Sequence, residues 1–193
     1  MKYLGQSNKQ LLNNRGLFEE IHQLKSFFVR LFSELANEIS LDFLSSAHAS
    51  SQGAKISKGN ELEHCPYQVL DIVRDFDRSK GFNIRILNWW GRGLFVIVYG
   101  GNQNLRLIQN VEFLSGMRQR GYMLSKTSSP WDYKRMIDEG HAHELPTQDG
   151  LMLHVNQFKY FQILKRMDYT VDSCELKSVL KDELEHVLKY YVG

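Results

Sequence analysis

"RILNWWGRGLFVIVYGG", residues 85–101, decides how the rest of the chain is read. Just upstream, Phe82, Ile84 and Ile86 alternate with Asn83 and Arg85, the two-residue period of a half-buried strand. Leu94 to Tyr99 is continuously apolar and includes two valines and an isoleucine, which fits a second strand. Gly91-Arg92-Gly93 lies between them, and a three-residue loop with glycine at a position needing positive φ is a common hairpin connection. A hairpin over about 82–100, closed by Gly100 and Gly101, is the expected centre of the fold.

The same geometry constrains the two tryptophans. Successive strand side chains point to opposite faces, so Trp89 and Trp90 do not make one stacking platform. Trp90 shares its parity with Ile84 and Ile86 and is expected in the core. Trp89 lies with Leu87 and Arg85, on the side expected to meet a covering helix, a partner or a ligand. Trp89, Arg85 and Arg92 are therefore the candidate ligand- or partner-binding residues.

On the N-terminal side, Leu17, Ile21, Leu24, Phe28, Leu31, Leu35 and Ile39 recur at spacings of three and four, one apolar stripe on a long helix. Such a stripe packs on its own domain or joins two copies, and a homodimer through the Leu17–Leu35 helix is the expected partner. Residues 45–60 are small and polar and read as a loop or linker. Over 66–77, Val69, Ile72, Val73 and Phe76 have helical spacing, with Pro66 at a first position and Gly81 beyond the end, so a helix is favoured over a strand.

Downstream of the hairpin a helix is expected over about 103–120, then a short strand at 122–127. A short helix follows, capped by Ser129 with Pro130 after it, and then a loop over 141–150. Leu151 to Val155 reads as a strand, and 158–168 fits helix or strand. At the C-terminus Asp172 and Glu175 form a capping-box pattern ahead of a stripe of Leu176, Leu180, Leu184, Val187 and Tyr191. Strands that do not alternate regularly with helices predict α+β: a mostly antiparallel sheet covered by helices, between long amphipathic helices at both ends.

Length suits one domain: a helical segment over 1–44, the loop at 45–60 and an α+β body over 61–193. A formal net charge of +2 is too weak to direct the chain to nucleic acid or an anionic membrane. An RNA or DNA surface would have to combine Trp89, Trp90 and Arg92 with Arg85 and Arg106, yet a single Gly-Arg-Gly is no repeat and no RNP1-like segment occurs. Two isolated cysteines, Cys65 and Cys174, and no apolar run long enough to span a bilayer predict a cytoplasmic protein.

Metal chemistry has one candidate, His141, His143 and Glu144, with His154 further on. Neutral imidazoles ligate zinc or iron, and an open position on such an ion activates water. Asp71, Arg74, Asp75 and Arg78 read as a solvated, salt-bridged face. No nucleophile elbow, phosphate loop or HExxH occurs, and no motif identifies a cofactor. The expected function is a non-enzymatic binding or interaction domain. A metal-dependent hydrolase using the His141, His143, Glu144 and His154 set is the alternative.

Overall fold

The computed structural model describes residues 5–169 and 172–192. Among these, seven strands form one sheet: β1 (Lys55–Leu62), β2 (Cys65–Asp71), β3 (Phe82–Trp89), β4 (Gly93–Gly101), β5 (Met123–Ser125), β6 (Ala142–Glu144) and β7 (Tyr160–Met167). Their order is β1-β2-β3-β4-β7-β5-β6, and every neighbouring pair is antiparallel. The helices are α1 (Gln6–Leu12), α2 (Arg15–Asn37), α3 (Leu41–Ala47), α4 (Leu105–Ile108), α5 (Val111–Gln119), α6 (Gln148–Phe158) and α7 (Ser173–Val192), with a π-helix at Lys134–Asp138. The fold is α+β, with amphipathic helices toward both ends. Among the described residues no helix is long and apolar enough to cross a membrane.

The hairpin forms in the register that its alternation predicts, with Ile84 opposite Val98 and Ile86 opposite Val96. Gly91 and Gly93 carry φ of 78° and 132°, values that L side chains rarely adopt, and this is what the Gly-Arg-Gly spacing supplies. One sheet face presents Phe82, Ile84, Ile86, Leu94, Val96, Val98, Phe161 and Ile163 to the helices. The opposite face gathers Val69, Leu87, Trp89, Phe95, Ile97 and Leu164 beneath Tyr133 and Met136 of the π-helix region. Covered on both sides, β4 is buried at every position, which is why its sequence runs apolar without alternation.

The helix α2 is where the core meets an open edge. Asn14 caps it by accepting from Leu17 N, and Phe28, Leu31, Phe32 and Leu35 are buried. Removing side chains such as Phe32 and Leu35 from water contributes about 1.5–3 kcal/mol each. The N-terminal half of the same stripe is left uncovered: Phe18 is 47% and Leu24 50% exposed.

Several segments differ from the sequence reading. Residues 66–77 do not form a helix. β2 pairs with β1 and β3, where Tyr67 faces Trp89 and Val69 faces Leu87, so β-ladder pairing and the β-branched side chains override a coincidental helical spacing. Residues 151–155 are helical, not a strand: Thr147 caps α6 by accepting from Gly150 N, and Leu151, His154 and Val155 turn inward together. The segment 158–168 resolves as β7.

The helix expected at 103–120 divides into α4 and α5, because Asn110 caps a new start at Val111. Ser129 takes part in a turn, accepting from Trp131 N, and regular helical structure there begins only at Lys134. Of the loop at 45–60, the first residues belong to α3 and the last to β1. The loop at 141–150 likewise contains β6 and the start of α6.

Candidate ligand-binding site

Where α2 overhangs the end of the β3–β4 hairpin, a groove of about 540 Å³ opens toward the start of α7. Leu24, Phe27 and Phe28 form one wall, Tyr169 and Leu176 the other, and Trp90 lies at the hairpin end. Phe27 and Phe28 meet edge to face at 5.1 Å, and Phe28 meets Tyr169 at 6.1 Å and 75°. These are the geometries that aromatic quadrupoles favour. Leu24, half exposed, leaves the mouth open to solvent.

Below the apolar walls runs a chain of hydrogen bonds. Tyr169 Oη donates to Asn88 Oδ1 at 2.7 Å. Asn88 Nδ2 donates to Gln68 Oε1 at 2.7 Å, and Trp90 Nε1 donates to the same oxygen at 2.9 Å. Partial burial pushes the Tyr169 hydroxyl above its ordinary pKa, so it stays a neutral donor. Gln68 and Asn88 are buried and face each other across β2 and β3. Gln68 and Asn88 interrupt a helix-facing row that is otherwise apolar, with Leu70, Ile84 and Ile86 beside them, and that interruption is the sequence signal for this site; the parity of the tryptophans alone passes over it.

The assignment of the tryptophans is corrected. Their parity is as expected, but Trp89 is the fully buried one and Trp90 is only partly covered. Trp89 sits inside the second apolar cluster and donates from Nε1 to Leu62 O at 3.0 Å. Trp90 lies one residue beyond β3 and lines the groove with Phe27 and Phe28 of α2, where it stays partly exposed. Arg92 stacks on Trp89 with its guanidinium carbon 4.4 Å from the ring, and is held by Asp138 Oδ2 at 3.1 Å and Cys65 Sγ at 2.9 Å.

Arg85 makes a two-point ion pair with Asp71, Nε to Oδ1 at 2.7 Å and Nη2 to Oδ2 at 2.8 Å. It also donates from Nη1 to the Tyr133 hydroxyl. Its guanidinium lies 5.0 Å from the Trp131 ring and 5.5 Å from Phe76. Burial alone would lower its pKa, but the bonds to Asp71 and the neighbouring Tyr133 more than offset this and raise it. Arg85, Trp89 and Arg92 thus share one sheet face, are engaged with neighbours within the chain, and do not line the groove.

The histidines are separated. His143 and Glu144 stand in β6 opposite Leu124 and Met123, with both side chains exposed, and His141 is exposed just before them. His154 is buried on α6, its ring 4.6 Å from Phe158, and neither ring nitrogen has a hydrogen-bond partner among the described residues. Burial, with Lys126 adding to it, pushes its pKa down to about 4, so it is neutral near pH 7. Among the described residues no three His, Cys, Asp or Glu side chains come together in a way that could hold a metal ion.

Of the acidic and basic set at 71–78, Asp71 pairs with Arg85 while Asp75 Oδ2 lies 2.7 Å from His48 Nε2. The set is therefore divided between two networks and is not one solvated helix face. Comparison with family models, with curated proteins and with solved structures finds no match to this chain.

Proposed function

We propose that the protein is a non-enzymatic binding domain whose groove between α2 and α7 holds the apolar body of a small ligand. One observation carries this reading: an apolar, aromatic-walled groove of about 540 Å³ lies over the ordered amide chain of Asn88 and Gln68. Small-molecule sites are commonly clefts of roughly 300–1,000 Å³ with apolar walls and a few fixed polar groups that orient the ligand. Trp90 and Phe28 would stack on a flat ligand, while Asn88 and the Tyr169 hydroxyl would meet a polar substituent.

The test is a titration with the neutral fluorophore N-phenyl-1-naphthylamine. The expected result is saturable one-to-one binding in the micromolar range. It should be weakened about tenfold or more, a loss of ~1.4 kcal/mol, by Leu24→Glu at the groove mouth. Leu24 is half exposed, so this change spares the core. Non-saturable binding, or an unchanged affinity in Leu24→Glu, would overturn the reading.

The exposed apolar side chains of Phe18 and Leu24 on α2 favour a second reading, a homodimer through that helix. Light scattering across a hundredfold range of protein concentration checks it, and a constant monomer mass removes it. A cytoplasmic location is part of the proposal and is supported by Cys65 and Cys174, both free, the second exposed.

A further inference from the structure

The other flank of α2 borders a second cleft, of about 590 Å³, between that helix and β1. Its lining includes His22, Lys25, Arg30 and Lys58 but no acidic side chain. Lys25 donates to Asn60 Oδ1 at 2.9 Å. Among the described residues, none of Lys25, Arg30 and Lys58 is paired with a carboxylate. Like charges gathered without a counter-charge repel one another, and a bound anion relieves that repulsion.

The innermost lining residue is Gln68, which is fully buried. Its amide orientation is determined by chemistry. An indole N–H can only donate, so the Gln68 atom that meets Trp90 Nε1 must be the oxygen. That oxygen also receives Asn88 Nδ2. The nitrogen Nε2 is left over, buried and without a partner among the described residues. Buried donors in folded proteins are nearly always satisfied, and an exception calls for a specific explanation. Here the orphan donor belongs to the one fully buried residue lining a cleft with three unpaired cations.

We infer that this cleft is a binding site for a phosphate-class oxyanion, in which Gln68 Nε2 supplies the positioning hydrogen bond and Lys25, Arg30 and Lys58 supply the charge. Several cations favour a doubly charged group over a single carboxylate, and charge-assisted hydrogen bonds are the strong ones. Free phosphate and a phosphate monoester present the same oxygens to these residues. The inference does not need a ligand in the groove, whose walls on the opposite flank of α2 are other side chains; the two sites share only the Asn88–Gln68 hydrogen bond.

The experiment is a titration of the isotope-labelled protein at constant ionic strength, with inorganic phosphate in one arm and glycerol 3-phosphate in the other, read by nuclear magnetic resonance. The expected result is a saturable shift of the Gln68 side-chain amide resonance with a millimolar dissociation constant. Binding should weaken tenfold or more in the double variant Arg30→Gln/Lys58→Gln. Both residues are exposed, and retention of the fold is checked by circular dichroism.

Gln68→Glu keeps an acceptor for Asn88 and Trp90, replaces the orphan donor with a negative oxygen, and should abolish binding. Tighter binding of glycerol 3-phosphate assigns the site to esterified phosphate; equal or tighter binding of inorganic phosphate assigns it to the free ion. A shift that rises linearly with phosphate, an equal shift with sodium chloride at matched ionic strength, or unchanged binding by the double variant would overturn the inference.

Discussion

Two polar pairs face each other across the same two strands, on opposite sides of the sheet. Asp71 lies opposite Arg85, and Gln68 lies opposite Asn88. The charged pair is closed. Both Asp71 oxygens accept from Arg85, Asn83 Nδ2 adds a bond to Oδ1 at 2.6 Å, and all three Arg85 nitrogens donate. Asn83 Oδ1 is taken by the backbone N–H groups of Val73 and Arg74. The amide pair is open. Its chain begins at the Tyr169 hydroxyl on the groove side and stops at a Gln68 nitrogen with nothing to donate to among the described residues. A closed network holds a fold together, whereas an open one has capacity for a ligand. The more conspicuous charges are therefore the structural ones, and the quieter amides mark the candidate site.

The sharpest way to break this contrast is at the closed pair. Arg85→Met is expected to cost about 3–5 kcal/mol in urea unfolding, because it leaves the Asp71 carboxylate buried without its partner. Adding Asp71→Leu should recover much of that loss, since a well-packed apolar pair can replace a buried ion pair. A cost below about 1 kcal/mol for the single variant would mean that the pair behaves as an exposed one.

The tryptophans extend the comparison, because each belongs to one side of it. Trp89 lies on the closed face and is fully buried, so Trp89→Ala should cost about 3–5 kcal/mol. Trp90 belongs to the open network and is partly exposed, so Trp90→Ala should cost at most about half as much. Thermal melts of the two variants decide it, and the reverse ranking would show that the hairpin end packs differently.

His154 is the control for the idea that an orphan polar group indicates a site. It too is buried without a partner among the described residues, but its ring lies against Phe158 and Tyr160 and it lines no basic cleft. Its consequence is for stability alone. The unfolded chain takes up a proton as the pH falls through the ordinary value of 6.5, while the folded protein resists until about 4. Stability is therefore intact above pH 6.5 and falls between 6.5 and 4 by on the order of 2 kcal/mol. His154→Phe should flatten that part of the pH profile, and an unchanged slope would show that other groups produce it.

Much of the architecture was legible. The alternation of Phe82 to Ile86, the unbroken apolar run at 94–99 and the stripes of α2 and α7 each report a local periodicity that packing preserves. What failed had a common cause. Over 66–77 the apolar residues fit two periods at once, and only the partners β1 and β3 choose between them. Leu151 to Val155 is an apolar run too short to reveal its period, although the Thr147 cap carried the helical signal. The metal reading joined His141, His143 and His154 by proximity in sequence, whereas two lie exposed near the sheet edge and one is buried on α6.

The sequence by itself determined the hairpin, the parity of its side chains, the two long amphipathic helices and the α+β class, because each depends on contacts or periods within a few residues. Tertiary structure decided which sheet face lies under which roof, and with it which tryptophan is buried. It also decided that Gln68 meets Asn88, that the first half of the α2 stripe stays uncovered, and that an apolar groove and a basic cleft are lined by that helix. Those features depend on strand register and helix placement between residues far apart in the chain, and no local pattern encodes where such partners come to rest.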